Sequence, residues 1–259
     1  MDLRWTDVRP NHFFNSFTFF NRLAQRLMIT HSPCQLGPCR WEHPLHCVAF
    51  DMDGLLLNTE DLYKEVIEEM LSTRGKVFHP EVRKRMMGQP AKKAWTVLKE
   101  GAQLQESWEE LHEEGEAMFL RLLPDRVDLM PGVVEILQFL HVRSIPCCVA
   151  TSSQRNIAED SLSRLDIRSR FEFIVTAEDV LNGKPAPDIY LMAAKRLGVS
   201  TQSMLVLEDS SNGAKAGVSA GACVIAVPSI HSLDHDFSGV ACIAQSLHDP
   251  RLYALLAGE

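Results

Sequence analysis

The segment Cys47 to Thr59, CVAFDMDGLLLNT, places two carboxylates one residue apart, after a short apolar run and before a glycine. A run as short and apolar as Cys47 to Phe50 suits a parallel strand buried on both faces. Asp51 then stands at the strand's carboxyl end, where the loops of an open α/β sheet line a ligand crevice. Gly54 lets the chain turn sharply just beyond the pair. A carboxylate is a weak nucleophile towards phosphorus unless a divalent cation neutralises the charge between them and the leaving oxygen receives a proton. Asp53 is placed to give that proton. Taken alone, Asp-x-Asp-Gly reads equally well as a polar turn after a strand.

Three later segments shift that balance. Cys147 to Ser153, CCVATSS, is another short apolar strand that ends in hydroxyl residues. Thr151 and Ser152 are candidates to hold phosphate oxygens at the start of the next helix, whereas Ser153 suits a helix N-cap. In Gly183 to Asp188, GKPAPD, one lysine stands between a glycine and two prolines ahead of a helical stretch from Ile189 to Leu197. The bland reading is a loop lysine with Asp188 as the helix cap. Met204 to Gly213, MLVLEDSSNG, is a strand that ends in Glu208 and Asp209 and leads into a Gly- and Ala-rich helix. Hard cations such as Mg²⁺ take carboxylate oxygens and keep several waters, so one or two acids here suit them. Asp209 or Ser210 would also cap the helix, which is compatible with a metal role. What decides is the order: nucleophile and acid, hydroxyl, lysine, then an acid pair, within an alternating strand and helix pattern.

With these four segments in order, the chain resembles the haloacid dehalogenase superfamily of phosphohydrolases from about Cys47 to its C-terminal region. The resemblance implies an α/β fold, a Rossmann-like parallel-sheet core with an inserted α-helical cap. It implies that Asp51 is the nucleophile that becomes aspartyl-phosphate, and that Asp53 is first the general acid and then the base that activates water. Thr151 and Lys184 would hold the phosphoryl group, with Ser152 beside them. Mg²⁺ would be bound by Asp51, the backbone carbonyl of Asp53 and Asp209, with Glu208 as a nearer or more distant helper. The dehalogenases for which the superfamily is named lack the residue at position 53, because their leaving group needs no proton. Phosphate ester chemistry follows. One departure is Asn58, where the family pattern usually carries Asp; the amide keeps the hydrogen-bonding shape and drops a charge.

Between Thr59 and Leu129 the pattern changes to amphipathic helices, with Leu62, Val66 and Met70 on one face and Trp108, Leu111, Met118 and Leu122 on another. Residues 60–129 are therefore read as the cap, 47–59 and 130–259 as the core, and 1–46 as a poorly ordered N-terminal extension. Pro131-Gly132 marks the return to the core, and a helix begins at Val133. By the resemblance, the cap closes over the site and excludes bulk water. Met87-Gly88-Gln89-Pro90 looks like the family's substrate-facing loop, with Gly88 and Gln89 as substrate-binding candidates. Tyr63 is a weaker one, and Lys92 and Lys93 read as a solvated face. Gly213, Gly217 and Gly221 suggest close packing of a helix on the sheet, and no dinucleotide-binding G-x-G-x-x-G turn is present.

At 259 residues and 46% apolar, the chain is long enough for one sizeable core and a smaller accessory domain. A net charge of −8 argues against a nucleic-acid partner. Seven scattered cysteines, two of them in an expected core strand, suggest reduced thiols in an intracellular compartment, with the cytoplasm as the default location. No apolar run is long enough to span a bilayer. Arg4, Arg9, Arg22 and Arg26 would suit an organelle presequence, but Asp2 and Asp7 count against one. Cys34, Cys39, His43, His46 and Cys47 match no paired zinc spacing.

The expected partner is a small phosphorylated metabolite. Through Phe50 to Glu60 and the EDSSNG run, the chain looks most like the phosphatases that act on pseudouridine 5'-phosphate, deoxyglucose 6-phosphate and glycerol phosphates. The alternative enzyme is a β-phosphoglucomutase-type phosphosugar mutase, which uses a cap histidine and an arginine after the loop glycine; here those positions hold Tyr63 and Ala91. A non-catalytic binding or regulatory module would be expected to have lost Asp51 or Asp53, and both are present.

Overall fold

The computed structural model of the protein describes residues 39–86, 89 and 91–258. Most of the expected N-terminal extension, including Cys34, and the loop residue Gly88 lie outside the described residues. The chain runs through strand β1 (Cys47–Phe50), then helices α1 (Thr59–Thr73), α2 (Pro80–Met86), α3 (Ala91–Ala102), α4 (Trp108–Arg126) and α5 (Val133–Val142). Strand β2 (Cys147–Ala150), helix α6 (Arg155–Arg164), strand β3 (Ile174–Val175) and helix α7 (Asp188–Leu197) follow. Strand β4 (Met204–Glu208), helix α8 (Ser211–Ser219), strands β5 (Cys223–Ala226) and β6 (Cys242–Ile243) and helix α9 (Pro250–Ala257) complete it.

The strands form one six-stranded sheet in the order β3-β2-β1-β4-β5-β6, parallel throughout. This is the doubly wound order, whose direction of winding reverses between β1 and β4. Alternate strand residues enter different apolar layers, as the two-residue period requires. Val48, Phe50, Val149, Leu205 and Leu207 pack with Ile136 and Leu140 of α5, Ile157 and Leu162 of α6, and Leu252 of α9. Ala49, Cys148, Ala150, Val206 and Val224 pack with Ile189, Tyr190 and Ala193 of α7 and Ala214 of α8.

Helices α1 to α4 are inserted between β1 and β2. Leu62, Val66 and Met70 of α1 lie buried against Leu111, Phe119 and Leu123 of α4 and Trp95 and Leu98 of α3. Tyr63 stacks on Phe119 with ring centroids 4.3 Å apart. Helix α4 begins with a reciprocal capping box between Ser107 and Glu110, which satisfies donors that would otherwise be orphaned. The two chain crossings into this helical layer are tied together by Asn58. Its Oδ1 accepts from the N–H of Asp128 at 2.7 Å, its Nδ2 donates to the carbonyl of Arg126 at 3.5 Å, and its own N–H donates to the carbonyl of Asp128 at 3.1 Å. The amide thus supplies a donor that an aspartate there would lack.

Three sequence expectations need correction. Cys47, Cys147, Cys148 and Cys223 are free and buried, but Cys39 is disulfide-bonded to Cys242. Residues 39–46, expected to belong to a loose extension, are tied to the core: the Trp41 indole donates to the carbonyl of Gln202 at 2.7 Å and the His46 N–H to that of Ser203 at 2.8 Å. Local composition carries no trace of either link, because each partner lies more than 150 residues away along the chain. Gly221, grouped with the helical glycines by its spacing, lies beyond the end of α8 at Ser219.

Candidate active site

Strands β2, β1 and β4 are neighbours, so the residues that follow them meet at one edge of the sheet. The Asp51 N–H donates to the carbonyl of Leu207 at 3.0 Å, and that of Thr151 to Val175 at 2.9 Å, which extends the ladder into the site. Gly54 has φ +84°, and a Cβ there would stand 2.5 Å from Asp209 Oδ2. Only glycine allows both the left-handed turn and the approach of Asp209.

Lys184 is the electrostatic centre of the site. It follows Gly183, with a cis bond to Pro185, and its ammonium donates to Asp51 Oδ1 at 2.5 Å, Glu208 Oε1 at 2.6 Å and the carbonyl of Ala150 at 2.9 Å. The side chains of Lys184, Asp51 and Glu208 are only 5%, 9% and 0% exposed, so these are buried ion pairs in which each charge depends on the others. Burial alone would lower the lysine's pKa, but Asp51 and Glu208 together carry it well above its ordinary value. Burial also pushes Asp51 well above the usual carboxylate range, against the pull of Lys184. Asp209 is raised in the same way, first by burial and then by the charges of Asp51 and Glu208.

Glu208 has little coordination left to offer. Its Oε1 also accepts from the Tyr190 hydroxyl at 2.7 Å, and its Oε2 accepts from the N–H and hydroxyl of Ser210 at 3.2 and 2.9 Å. A Cβ at Gly213 would fall 1.6 Å from Glu208 Oε1, so helix α8 presses its bare backbone against this carboxylate. Ser210, the N-cap of α8, accepts in turn from the N–H of Gly213 at 3.1 Å.

Asp53 sits in a cage of hydroxyls. Thr59 donates to its Oδ1 at 2.8 Å, and Thr151 and Ser153 donate to its Oδ2 at 3.1 and 2.7 Å. Thr151 is fully buried and also accepts from the N–H of Ser153 at 3.0 Å, so its hydroxyl faces Asp53 in this state. Ser153 is not the helix cap expected from its position, since Gln154 occupies the N-cap of α6. Ser152 is exposed on the wall of the adjoining cavity.

That cavity has a volume of about 430 Å³. Its floor includes Asp51, Asp53, Lys184 and Asp209. The helical layer contributes Tyr63, Phe78, Arg83, Gln89, Trp95 and His112 among its lining residues. Glu60, half-buried near Asp53, has its pKa raised to about 7, mainly by desolvation. Sequence reasoning overlooked Thr59, Tyr190, Glu60 and Arg83 as parts of the site. A threonine six residues after Asp53, or a tyrosine in an apolar helix 18 residues before Glu208, carries no local mark of its carboxylate partner.

The chemistry of the donor set suits a hard divalent cation. One carboxylate oxygen from each of Asp51, Glu208 and Asp209 lies within 4.8 Å of the others, and one buried lysine offsets only part of their charge.

The model of the family described as haloacid dehalogenase-like hydrolase matches residues 48–227. A phosphorylated carbohydrates phosphatase of Thermotoga maritima is 36% identical over 181 residues, covering 68% of this chain and 82% of that protein. A Drosophila melanogaster protein named as a probable pseudouridine-5'-phosphatase is 38% identical over 210 residues, covering 79% and 90%. The crystal structure of a Thermotoga maritima protein proposed to be a beta-phosphoglucomutase superposes with a TM-score of 0.66 at 31% identity, covering 83% of this chain and 98% of that one.

Proposed function

Given that the chain belongs to the haloacid dehalogenase-like hydrolases and is a phosphomonoester hydrolase of that family, we propose that it hydrolyses a sugar, polyol or nucleoside monophosphate through an aspartyl-phosphate on Asp51, with Mg²⁺ as cofactor. The observation that carries this reading is the buried Lys184 bridge between Asp51 and Glu208, with Asp51, Asp53, Lys184 and Asp209 together lining one cavity. The helices α1 to α4 serve as the cap, approximately over residues 60–129.

Asp51 attacks phosphorus, and the bond to the ester oxygen breaks as Asp53 delivers a proton to that oxygen. Asp53 then takes a proton from water, which attacks the same phosphorus and releases phosphate with Asp51 restored. Lys184 holds the nucleophile in place and offsets charge as the phosphoryl group arrives. Asp51, the carbonyl of Asp53 and Asp209 would hold Mg²⁺, which when bound neutralises the repulsion between carboxylate and phosphate. Glu208, with both oxygens engaged by protein donors, acts by positioning Lys184. Thr151 and Ser152 cradle the phosphoryl oxygens, and for Thr151 this requires its hydroxyl to turn from Asp53 to the substrate. The cavity suits a small hydroxylated leaving group, with Gln89, Arg83 and His112 of the helical layer as candidates to hold it.

The test is phosphate release by the purified protein with Mg²⁺ across sugar phosphates and nucleoside monophosphates, including pseudouridine 5'-phosphate and β-glucose 1-phosphate. Release from one or a few members supports a phosphatase of that substrate class. Conversion of β-glucose 1-phosphate to glucose 6-phosphate without free phosphate would overturn hydrolysis in favour of phosphoryl transfer within one sugar.

A further inference from the structure

The loop between β5 and β6 reaches the helical layer at a point that the chemistry above does not use. Arg83 of α2, a cavity-lining residue, directs its Nη2 at His231 Nδ1 at 2.5 Å, and His231 Nε2 lies 2.8 Å from Asp61 Oδ1 in the first turn of α1. A guanidinium only donates, so Nδ1 must be the unprotonated nitrogen and Nε2–H the donor to Asp61. One imidazole thereby joins two helices of the cap to the core. Its side chain is 10% exposed, which distinguishes it from the neighbouring Lys84–Asp234 ion pair at 3.2 Å, whose partners are 72% and 66% exposed.

The loop that presents His231 is itself fixed. The buried Ser229 hydroxyl accepts from the His231 N–H at 3.2 Å, and the buried Ser232 hydroxyl accepts from the Ser229 N–H at 3.0 Å. Further along, His235 Nδ1 accepts from the N–H of Ser211 at 3.3 Å, at the start of α8 and two residues beyond Asp209.

We propose that His231 is a positioning residue which, in its Nε2–H tautomer, latches helices α1 and α2 to the core and holds Arg83 at the wall of the substrate cavity. Protonation at Nδ1 would set an N–H against the Arg83 guanidinium and break that half of the latch. The groups facing the imidazole are Asp61 and Lys64 on α1 and Arg83 on α2. Burial, Arg83 and Lys64 outweigh Asp61 and hold the imidazole's pKa below its ordinary 6.5. The latched state is therefore favoured above that value and is lost as pH falls through the lower one.

Kinetics enter through the phosphatase reading, but the latch has a readout that does not need a substrate. In amide hydrogen exchange on the full chain at pH 7.5, His231→Ala is expected to expose helix α2 and the first turn of α1 at least about tenfold faster than wild type, a lower bound because Asp61 is 58% exposed and its hydrogen bond is screened by solvent. As pH falls below 6.5, the protection of these amides, corrected for the intrinsic slowing of exchange in acid, should fall in the wild type and change little in the variant. His231→Gln, which keeps a donor for Asp61 but does not titrate, should retain part of the protection and lose its pH dependence. Unchanged exchange in both variants at pH 7.5 would overturn the latch whether or not a substrate has been found. Where a substrate is known, Arg83→Ala, His231→Ala and the double variant should lower kcat/KM by similar factors; additive losses would refute a shared role.

Discussion

Replacing Lys184 by methionine tests whether one cation holds the site together. The substitution leaves Asp51 and Glu208 facing each other in a region where their side chains are 9% and 0% exposed. Removing one partner of a buried ion pair costs about 3–5 kcal/mol, because an uncompensated charge remains. For a chain of this size each kcal/mol moves the melting temperature by about 2–4 °C, so Lys184→Met should melt about 6–20 °C lower near pH 7.5. The deficit should depend on pH in a defined direction. Burial already raises Asp51 in the folded state above its ordinary 3.8, and loss of the lysine removes the charge that pulls it down. A carboxyl with a raised folded-state pKa contributes stability below its unfolded value and loses that contribution as pH rises through the folded one. The variant should therefore be closest to wild type in acid and furthest from it near pH 8. Adding Glu208→Gln, which removes a second charge and leaves an amide for Tyr190 and Ser210, should recover about half of the loss at neutral pH, since the two sites share one network. Thermal melts across this pH range, by fluorescence and calorimetry, provide the measurement. A Lys184→Met protein that melts within about 2 °C of wild type at pH 7.5 would refute the argument, because the charges would then not be buried against one another.

Other substitutions probe the remaining parts. Asp51→Asn and Asp53→Asn should each reduce turnover by at least about two orders of magnitude, as loss of a nucleophile or of a positioned proton donor does. Steady-state phosphate release measures this, and near-normal turnover of either would sink its assigned role. Asp209→Ala should raise the Mg²⁺ concentration needed for half-maximal rate, because a hard oxygen ligand is lost; an unshifted titration would remove Asp209 from the metal site. Gly213→Ala should lower stability by about 1–3 kcal/mol, since its methyl would displace Glu208 from Lys184. A melting temperature equal to wild type would show that α8 can retreat from the sheet without cost.

Much of the core was legible because its signals are local. Cys47–Phe50, Cys147–Ala150 and Met204–Glu208 are short, apolar and bounded by polar residues, and all form buried parallel strands. Two-residue strands such as Ile174–Val175 and Cys242–Ile243 are too short to show a period. In the site, residue type and spacing singled out Asp51, Asp53, Lys184 and Asp209, and the structure gathers them on one cavity floor. The difference between Glu208 and Asp209 was not legible, because adjacent acids look alike until their partners are seen. Ser153 was read as a cap for the same reason: a hydroxyl before a helix serves a carboxylate or an N–H equally well. The Cys39–Cys242 bond and the His231 contacts join residues with no local pattern, and only the tertiary fold reveals them.

The place of β1 between β2 and β4 also bears on how the chain is made. β1 is finished early in synthesis, yet one of its two hydrogen-bonding neighbours begins only at Met204. Until that stretch leaves the ribosome, β1 keeps one edge unpaired and apolar, the kind of surface on which incomplete chains associate. The nucleophile's strand is thus made well before the second of the two strands that seal it. A chain that stops at Val199 would retain the helical layer and both aspartates of the first segment while lacking the strand that closes them in.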